Sequence, residues 1–201
     1  MKILRVKCNP EGINLAIKTI EEGGTVVFPT DTVYGIGCDP YNQKSVESLY
    51  RIKKREESKL FPVLGYSKKI LSDIAFFDNR SEKIVEKFWP GGITLVLKLK
   101  DNKLKKILNL DEKIAVRVPN NKCILSILEK CKLLIGTSAN FSGSNSSNDP
   151  DECFKNFSGY DMFVDGGVIS SKSESTIIEV DQTIKVLREG NISEKEIMEL
   201  F

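Results

Sequence analysis

Thr30, Asp31, Thr32 and Tyr34 crowd into five positions just after an apolar run, Thr25-Val26-Val27-Phe28, that Pro29 brings to a stop. Proline fixes φ and has no N–H for a ladder, so a strand ends there and its polar successors sit at its mouth. Gly35 and Gly37 follow among apolar residues. A second junction of this kind comes where Leu133-Leu134-Ile135 runs into Gly136-Thr137-Ser138-Ala139-Asn140-Phe141-Ser142-Gly143. Open α/β sheets place ligands where strands open into polar, glycine-containing loops. Each junction also reads as an ordinary turn, since Ser, Asn and Thr favour turns for local reasons.

Between the junctions stand four cations of interest, Lys53, Arg55, Lys59 and Arg117. Lys53-Lys54-Arg55 ends a helical stretch, with Lys59 just beyond. Positive charge suits a helix C-terminus, so the triplet reads as a solvated cap. The alternative is an anion clamp, because Lys53 and Arg55 share a side once the chain extends. Arg117 sits in the apolar stretch 114–119. Such an arginine is expected either to have a partner for its guanidinium or to face outward at an edge.

Composition narrows the chemistry. There is no histidine, which excludes Ser–His–Asp and Cys–His catalysis and histidine metal sites. The five cysteines are scattered without a CxxC pair, so structural zinc is excluded and a disulfide framework is not expected; Cys123, Cys131 and Cys153 read as small core residues. What remains is carboxylates, Lys, Arg, hydroxyls, backbone amides and an oxygen-bound metal such as Mg2+, a set suited to stabilising phosphate charge. A net charge of +2 makes any basic site local. The sequence has neither GxxxxGK[ST] nor a GxGxxG after a strand. With 40% hydrophobic residues, no signal-peptide pattern and no membrane-length apolar run, the chain is expected to be globular and cytoplasmic.

The elements that must position these residues follow from periodicity. Asn9-Pro10 opens a helix with the stripe Ile13, Ala16, Ile17, Ile20, ended by Gly23-Gly24. Asn42 caps a helix to about Lys54, and helices are expected over 67–75, 81–88, 122–130, 151–157 and from Ser193 onward. Strands are expected near the N-terminus and over 25–28, 60–64, 93–99, 114–119, 133–135, 162–164 and 176–180, the last with a hairpin partner at 184–188. Lys98, Lys100, Lys103, Lys105 and Lys106 read as a solvated face, and 144–149 as a mobile polar loop. The expectation is one α/β domain, residues 1–201, with an open twisted mixed sheet flanked by helices.

Taken in order, PTDTVYGIGCD, KKR with Lys59 before LFPVL, FWPGGITLVL, AVRVP, GTSANFSG, STIIEVD and VLREG resemble the YrdC family, over about residues 12 to 190. The resemblance implies a YrdC-like fold with a concave basic groove. It implies the activity of the family's threonylcarbamoyl-AMP synthases, in which L-threonine, bicarbonate (as CO2) and ATP, with Mg2+, give threonylcarbamoyl-adenylate and pyrophosphate. The product would pass to a separate transferase complex that modifies an adenosine of tRNA. By the same resemblance Lys53 and Arg55, the family's KxR, are the catalytic pair, and with Lys59 they hold the ATP phosphates. Ser138 and Asn140, the family's SxN, would contact the nucleotide and its metal, with Ser146 nearby and Arg188 on the ATP side. Thr32, Tyr34, Arg117 and Ser175 would take threonine, Arg117 through the carboxylate. Glu56 stands where members often have proline, followed by Glu57. The alternative reading is a module that binds tRNA or double-stranded RNA without catalysis.

Overall fold

The computed structural model describes residues 3–56, 61–171 and 173–201. Strand β1 (Leu4–Lys7) leads into α1 (Pro10–Glu21), where the Asn9 side chain accepts the Gly12 N–H at 2.8 Å and proline opens the first turn. Gly23, at φ +86°, follows the end of α1. Strand β2 (Val26–Phe28) turns back on β3 (Gly35–Gly37), with Phe28 opposite Gly35. The sequence alone reads 30–37 as loop; the glycines instead return as a strand. A Cβ on Gly37 would lie 1.8 Å from the Ile135 carbonyl oxygen, so only glycine admits the neighbouring strand at that distance.

Next come α2 (Gln43–Lys53), β4 (Val63–Gly65), α3 (Lys68–Leu71) and α4 (Asn79–Phe88). They are followed by β5 (Ile93–Lys98), α5 (Asn102–Ile107), β6 (Lys113–Arg117) and α6 (Lys122–Cys131). The chain continues through β7 (Leu133–Ile135), β8 (Thr137–Ser138), α7 (Pro150–Asn156) and β9 (Met162–Asp165). It closes with β10 (Thr176–Val180), β11 (Ile184–Arg188) and α8 (Glu194–Met198). Helix α5 has no counterpart in the sequence reading. It buries Leu104 alone and is set by its cap, Asp101, which accepts the Lys103 and Leu104 N–H groups, so no stripe announces it. The lysines there are not all loose: Lys105 pairs with Glu112, and Lys103 lies over the Tyr41 ring.

The expected mixed α/β class is observed, with the strands divided between two mixed sheets in the orders β1-β9-β2-β3-β8 and β11-β10-β5-β6-β4-β7. One hydrophobic cluster contains Val27 and Ile36 from the first sheet and Ile93, Leu95, Val116 and Ile178 from the second, so the sheets share a core. A second cluster lies beneath α1 and α6, where Ala16, Ile20, Ile124, Ile127 and Leu128 pack on Val26, Phe28 and Leu134. Each such side chain contributes about 1.5–3 kcal/mol through burial.

The cysteines require a correction. Cys8, just after β1, forms a disulfide with Cys123 in the first turn of α6, across 115 residues of sequence. Packing of α1 against α6 brings the two together, which spacing along the chain does not report. Cys38 and Cys153 are buried free thiols, and burial pushes the Cys153 thiol up to about 12.

Candidate functional site

The hairpin β2–β3 ends at the turn 29–34, which is built by one hydroxyl. Thr30 Oγ1 donates to the Val33 carbonyl at 2.6 Å and accepts the N–H groups of Thr32 and Val33 at 3.1 and 3.2 Å. That turn presents Asp31 and Thr32 to β6. Arg117, at the end of β6, is 6% exposed, and three of its nitrogens are held. Nε donates to the Gly91 carbonyl (2.9 Å), Nη1 to Thr32 Oγ1 (3.2 Å) and Nη2 to Asp31 Oδ1 (2.6 Å). Burial draws its pKa down and the Asp31 carboxylate draws it back up. Of the two sequence alternatives for Arg117, the partnered one is observed.

Asp31 also accepts the Asn120 N–H at 3.0 Å, and Asn121, the cap of α6, donates to the Thr30 carbonyl. The turn is therefore tied to both β6 and α6.

These groups open onto a cavity of about 320 Å3. Thr30, Thr32, Arg117, Thr94 and Ser175 line it, with Phe28, Leu64, Val96, Ala115 and Ile177 as apolar floor. Arg55, Ser138, Thr137, Glu174, Arg188 and Lys113 also line it. Ser175 Oγ lies 3.0 Å from Thr94 Oγ1 and accepts from Arg188 Nη2 at 3.2 Å. Arg188 also donates from Nε and Nη2 to the Ser175 carbonyl and pairs with Glu174 through Nη1. Arg55 lies over the Phe61 ring, and burial lowers its pKa. The structure thus brings six of the expected site residues to one cavity: Thr32, Arg55, Arg117, Ser138, Ser175 and Arg188.

Four others lie elsewhere. Lys53, expected to hold phosphate, is 1% exposed and is not among the lining residues. Lys54 caps α2 in the left-handed conformation (φ 49°), so Lys53 and Arg55 part ways instead of sharing a side. Asn140 is likewise outside the lining; its Oδ1 accepts from Lys53 Nζ at 3.0 Å and its Nδ2 donates to the Ser144 carbonyl. Tyr34, expected to meet threonine, is fully buried against Phe163, its hydroxyl donating to the Gly167 carbonyl and accepting the Gly166 N–H. Its backbone donates to the Ser147 carbonyl and accepts the Ala139 N–H, so Tyr34 shapes the rim through its main chain. Ser146 is half-buried beside it and does not line the cavity. Lys59 and Glu57 lie outside the described residues.

Within the loop 144–149, expected to be mobile, two positions are hydrogen-bonded to other segments: the Ser147 carbonyl accepts from Tyr34, and Asn148 meets both Ile169 N–H and the Ser171 carbonyl. The sequence reading gave no role to Asp31, Glu174 or Lys113. Asp31 carried a signal, being the one acid in the polar turn; Glu174, beside Ser175, and Lys113 carried none.

Among the described residues no group of three or more His, Cys, Asp or Glu side chains could hold a metal. Glu174, the carboxylate among the cavity's lining residues, is already paired with Arg188, and Asp31, behind the lining, is paired with Arg117. No helix of the described residues is long and apolar enough to cross a membrane.

Comparison with known proteins gives consistent matches. The Sua5/YciO/YrdC family model, described as "Telomere recombination", matches residues 18–190. A Methanocaldococcus jannaschii protein, named as a candidate threonylcarbamoyl-AMP synthase, is 36% identical over 87% of this chain and 84% of its own. YciO of Escherichia coli, named without a function, is 29% identical over 89% of this chain and 88% of its own. Among solved structures, P. abyssi Sua5 complexed with L-threonine matches with a TM-score of 0.91 and 29% identity, covering this whole chain and 61% of Sua5. The crystal structure of E. coli YciO matches with a TM-score of 0.85 and 27% identity, covering 97% of both chains. With a family model matched along most of its length and these folds superposing on its own, the chain belongs to the Sua5/YciO/YrdC family.

Proposed function

We propose that this chain is an enzyme that makes threonylcarbamoyl-adenylate and pyrophosphate from L-threonine, CO2 derived from bicarbonate, and ATP, acting as a nucleotidyltransferase. The observation that carries the reading is the single cavity in which Thr32, Arg117 and Ser175 stand beside Arg55, Ser138 and Arg188. It is supported by the likeness to a Sua5 structure holding L-threonine and by a relative named for the synthase.

Threonine would lie with its carboxylate toward Arg117, whose remaining N–H groups can face the cavity, and its hydroxyl near Thr32 and Ser175. A guanidinium suits a carboxylate because its fork donates paired N–H bonds. The amine must shed its proton before its nitrogen adds to the carbon of CO2, and cations nearby favour the neutral amine. A carbamate oxygen then attacks the α-phosphorus, and the bond to the pyrophosphate oxygen breaks in line. No protein nucleophile is needed. Arg55 and Arg188 meet the charge that gathers on the transferring and leaving oxygens, and Ser138 orients the phosphate. For Arg188 to do so, phosphate must compete with Glu174 for its Nη1.

Mg2+ would come with the nucleotide and supply charge neutralisation at the phosphates. Since Glu174, the carboxylate lining the cavity, is spent on Arg188, phosphate oxygens, water and the Ser138 hydroxyl would hold it. Passage of the product to a tRNA-modifying transferase belongs to the same proposal.

The test is mass detection of the adenylate after incubating the protein with ATP, threonine and bicarbonate. Omission of any one should abolish product; product formed equally well without threonine would overturn the assignment.

A further inference from the structure

Lys53 stands at the last turn of α2, buried, and its side-chain hydrogen bonds run to one short piece of chain. Its ammonium donates to the Ser138 carbonyl and, at 3.0 Å, to Asn140 Oδ1. The centroid of the Phe157 ring lies 5.9 Å from the ammonium. Its own carbonyl accepts the Ser142 N–H at 2.8 Å. One residue thus holds the segment 138–142 at three points.

An ammonium has three N–H groups and no more. Two are spent on oxygens of the protein and the side chain is buried, so a phosphate could take those N–H groups only by displacing Ser138 and Asn140. Arg55, two residues on, is turned the other way by the left-handed Lys54 and lines the cavity. Burying a lone cation is costly unless its hydrogen bonds are made, so the native fold retains Lys53 with Ser138 and Asn140 as a set.

We propose that Lys53 is a positioning residue and not a phosphate ligand: it pins the 138–142 segment to the end of α2, so that Ser138 is presented to the cavity, while Arg55 is the member of the pair that meets the anion. The assignment of the anion rests on the synthase reading; the pin itself does not. Lys53 acts through the Ser138 carbonyl and the Asn140 amide, and substrate meets the Ser138 hydroxyl. The Gly35–Ser138 ladder and the Ala139 N–H bond to the Tyr34 carbonyl hold the other side of the segment, so losing the pin frees only the part near Asn140.

Lys53→Met keeps the stem and removes the donors; Arg55→Met is the comparison. In the protein without ligand, amide hydrogen exchange over 138–146 should quicken at least about tenfold in Lys53→Met and stay within about twofold of wild type in Arg55→Met. Pyrophosphate, titrated calorimetrically, should bind Lys53→Met within about threefold of wild type and Arg55→Met at least about tenfold more weakly. Asn140→Leu removes the Lys53 acceptor, and with it the donor to the Ser144 carbonyl, at a partly exposed position; it should quicken the same amides, with the double variant at 138–142 no faster than Lys53→Met alone. That second variant keeps the test open if Lys53→Met does not fold. Unchanged exchange in Lys53→Met or, failing that, in Asn140→Leu would overturn the pin, as would a loss of pyrophosphate affinity as large in Lys53→Met as in Arg55→Met. A wild-type protein that binds no pyrophosphate would sink the synthase reading and leave the exchange result to decide the pin.

Discussion

Arg117 and Lys53 are both cations inside the protein, and they are kept charged by different means. Arg117 has a carboxylate, Asp31, at 2.6 Å; Lys53 has only neutral oxygens. Asp31→Asn should therefore leave a buried guanidinium without its counter-charge and cost about 3 kcal/mol of stability, read as a lower denaturation midpoint. It should also raise the KM for threonine more than that for ATP, because the turn 29–34 loses its tie to β6. Equal changes in both would place Asp31's effect outside the threonine end of the cavity. Losing the Arg55 cation should cost about 3 kcal/mol of transition-state stabilisation, a roughly hundredfold fall in turnover measured as pyrophosphate release.

Lys53 makes a pH prediction with a definite sign. Burial, reinforced by the Arg55 charge and opposed by Glu174 and Cys153, lowers its pKa from the ordinary 10.5 to about 8. Between those values the unfolded chain binds the proton and the folded one does not, so this group's contribution to stability rises with pH from about 8 to 10.5. Its hydrogen bonds weaken over the same interval as they lose charge assistance. Turnover and stability should therefore move in opposite directions above about pH 8. In Lys53→Met that gain in urea midpoint between pH 7.5 and 9.5 should be smaller; a gain equal to wild type would assign it to other groups.

At the scale of elements, most of the frame was legible because caps and stripes are local. Asn9, Asn42 and Ser193 each accept the N–H three residues on, as their positions ahead of apolar stripes imply. The elements missed were those whose cause lies elsewhere in the chain. Strand β3 exists because Gly35 and Gly37 let neighbouring backbone and the Phe28 ring come close, and those neighbours are far away in sequence or across a turn. Gly37→Ala should cost about 3 kcal/mol or more, since the colliding atom is a backbone oxygen that cannot rotate away. Urea denaturation would show it as a fall in midpoint at unchanged slope, and a drop under 1 kcal/mol would mean that the two strands can separate freely.

For the whole molecule, the disulfide between Cys8 and Cys123 closes a loop of 115 residues. A closure of that length stabilises by up to about 4–5 kcal/mol through the unfolded chain. Reductant should lower the melting temperature of the wild type and leave that of Cys8→Ala unmoved. The same α6 that carries Cys123 also carries the Asn121 cap bound to the Thr30 carbonyl, so the frame around the cavity is cross-linked from behind.

By itself the sequence determined the class of the fold, most of its helices and strands, and the kind of chemistry open to a chain without histidine. It did so because periodicity, capping and residue type act over a few neighbouring positions. Only the tertiary structure decided which cations meet the cavity. Lys53 and Arg55 are two residues apart, and either side of one left-handed backbone angle the first lies in the interior and the second lines the cavity. Asp31 and Arg117 became a pair only through packing of the turn 29–34 on a strand distant in the chain, and Glu174 the partner of Arg188 through the register of the β10–β11 hairpin. Side-chain direction is set by such packing, and no spacing of letters carries it.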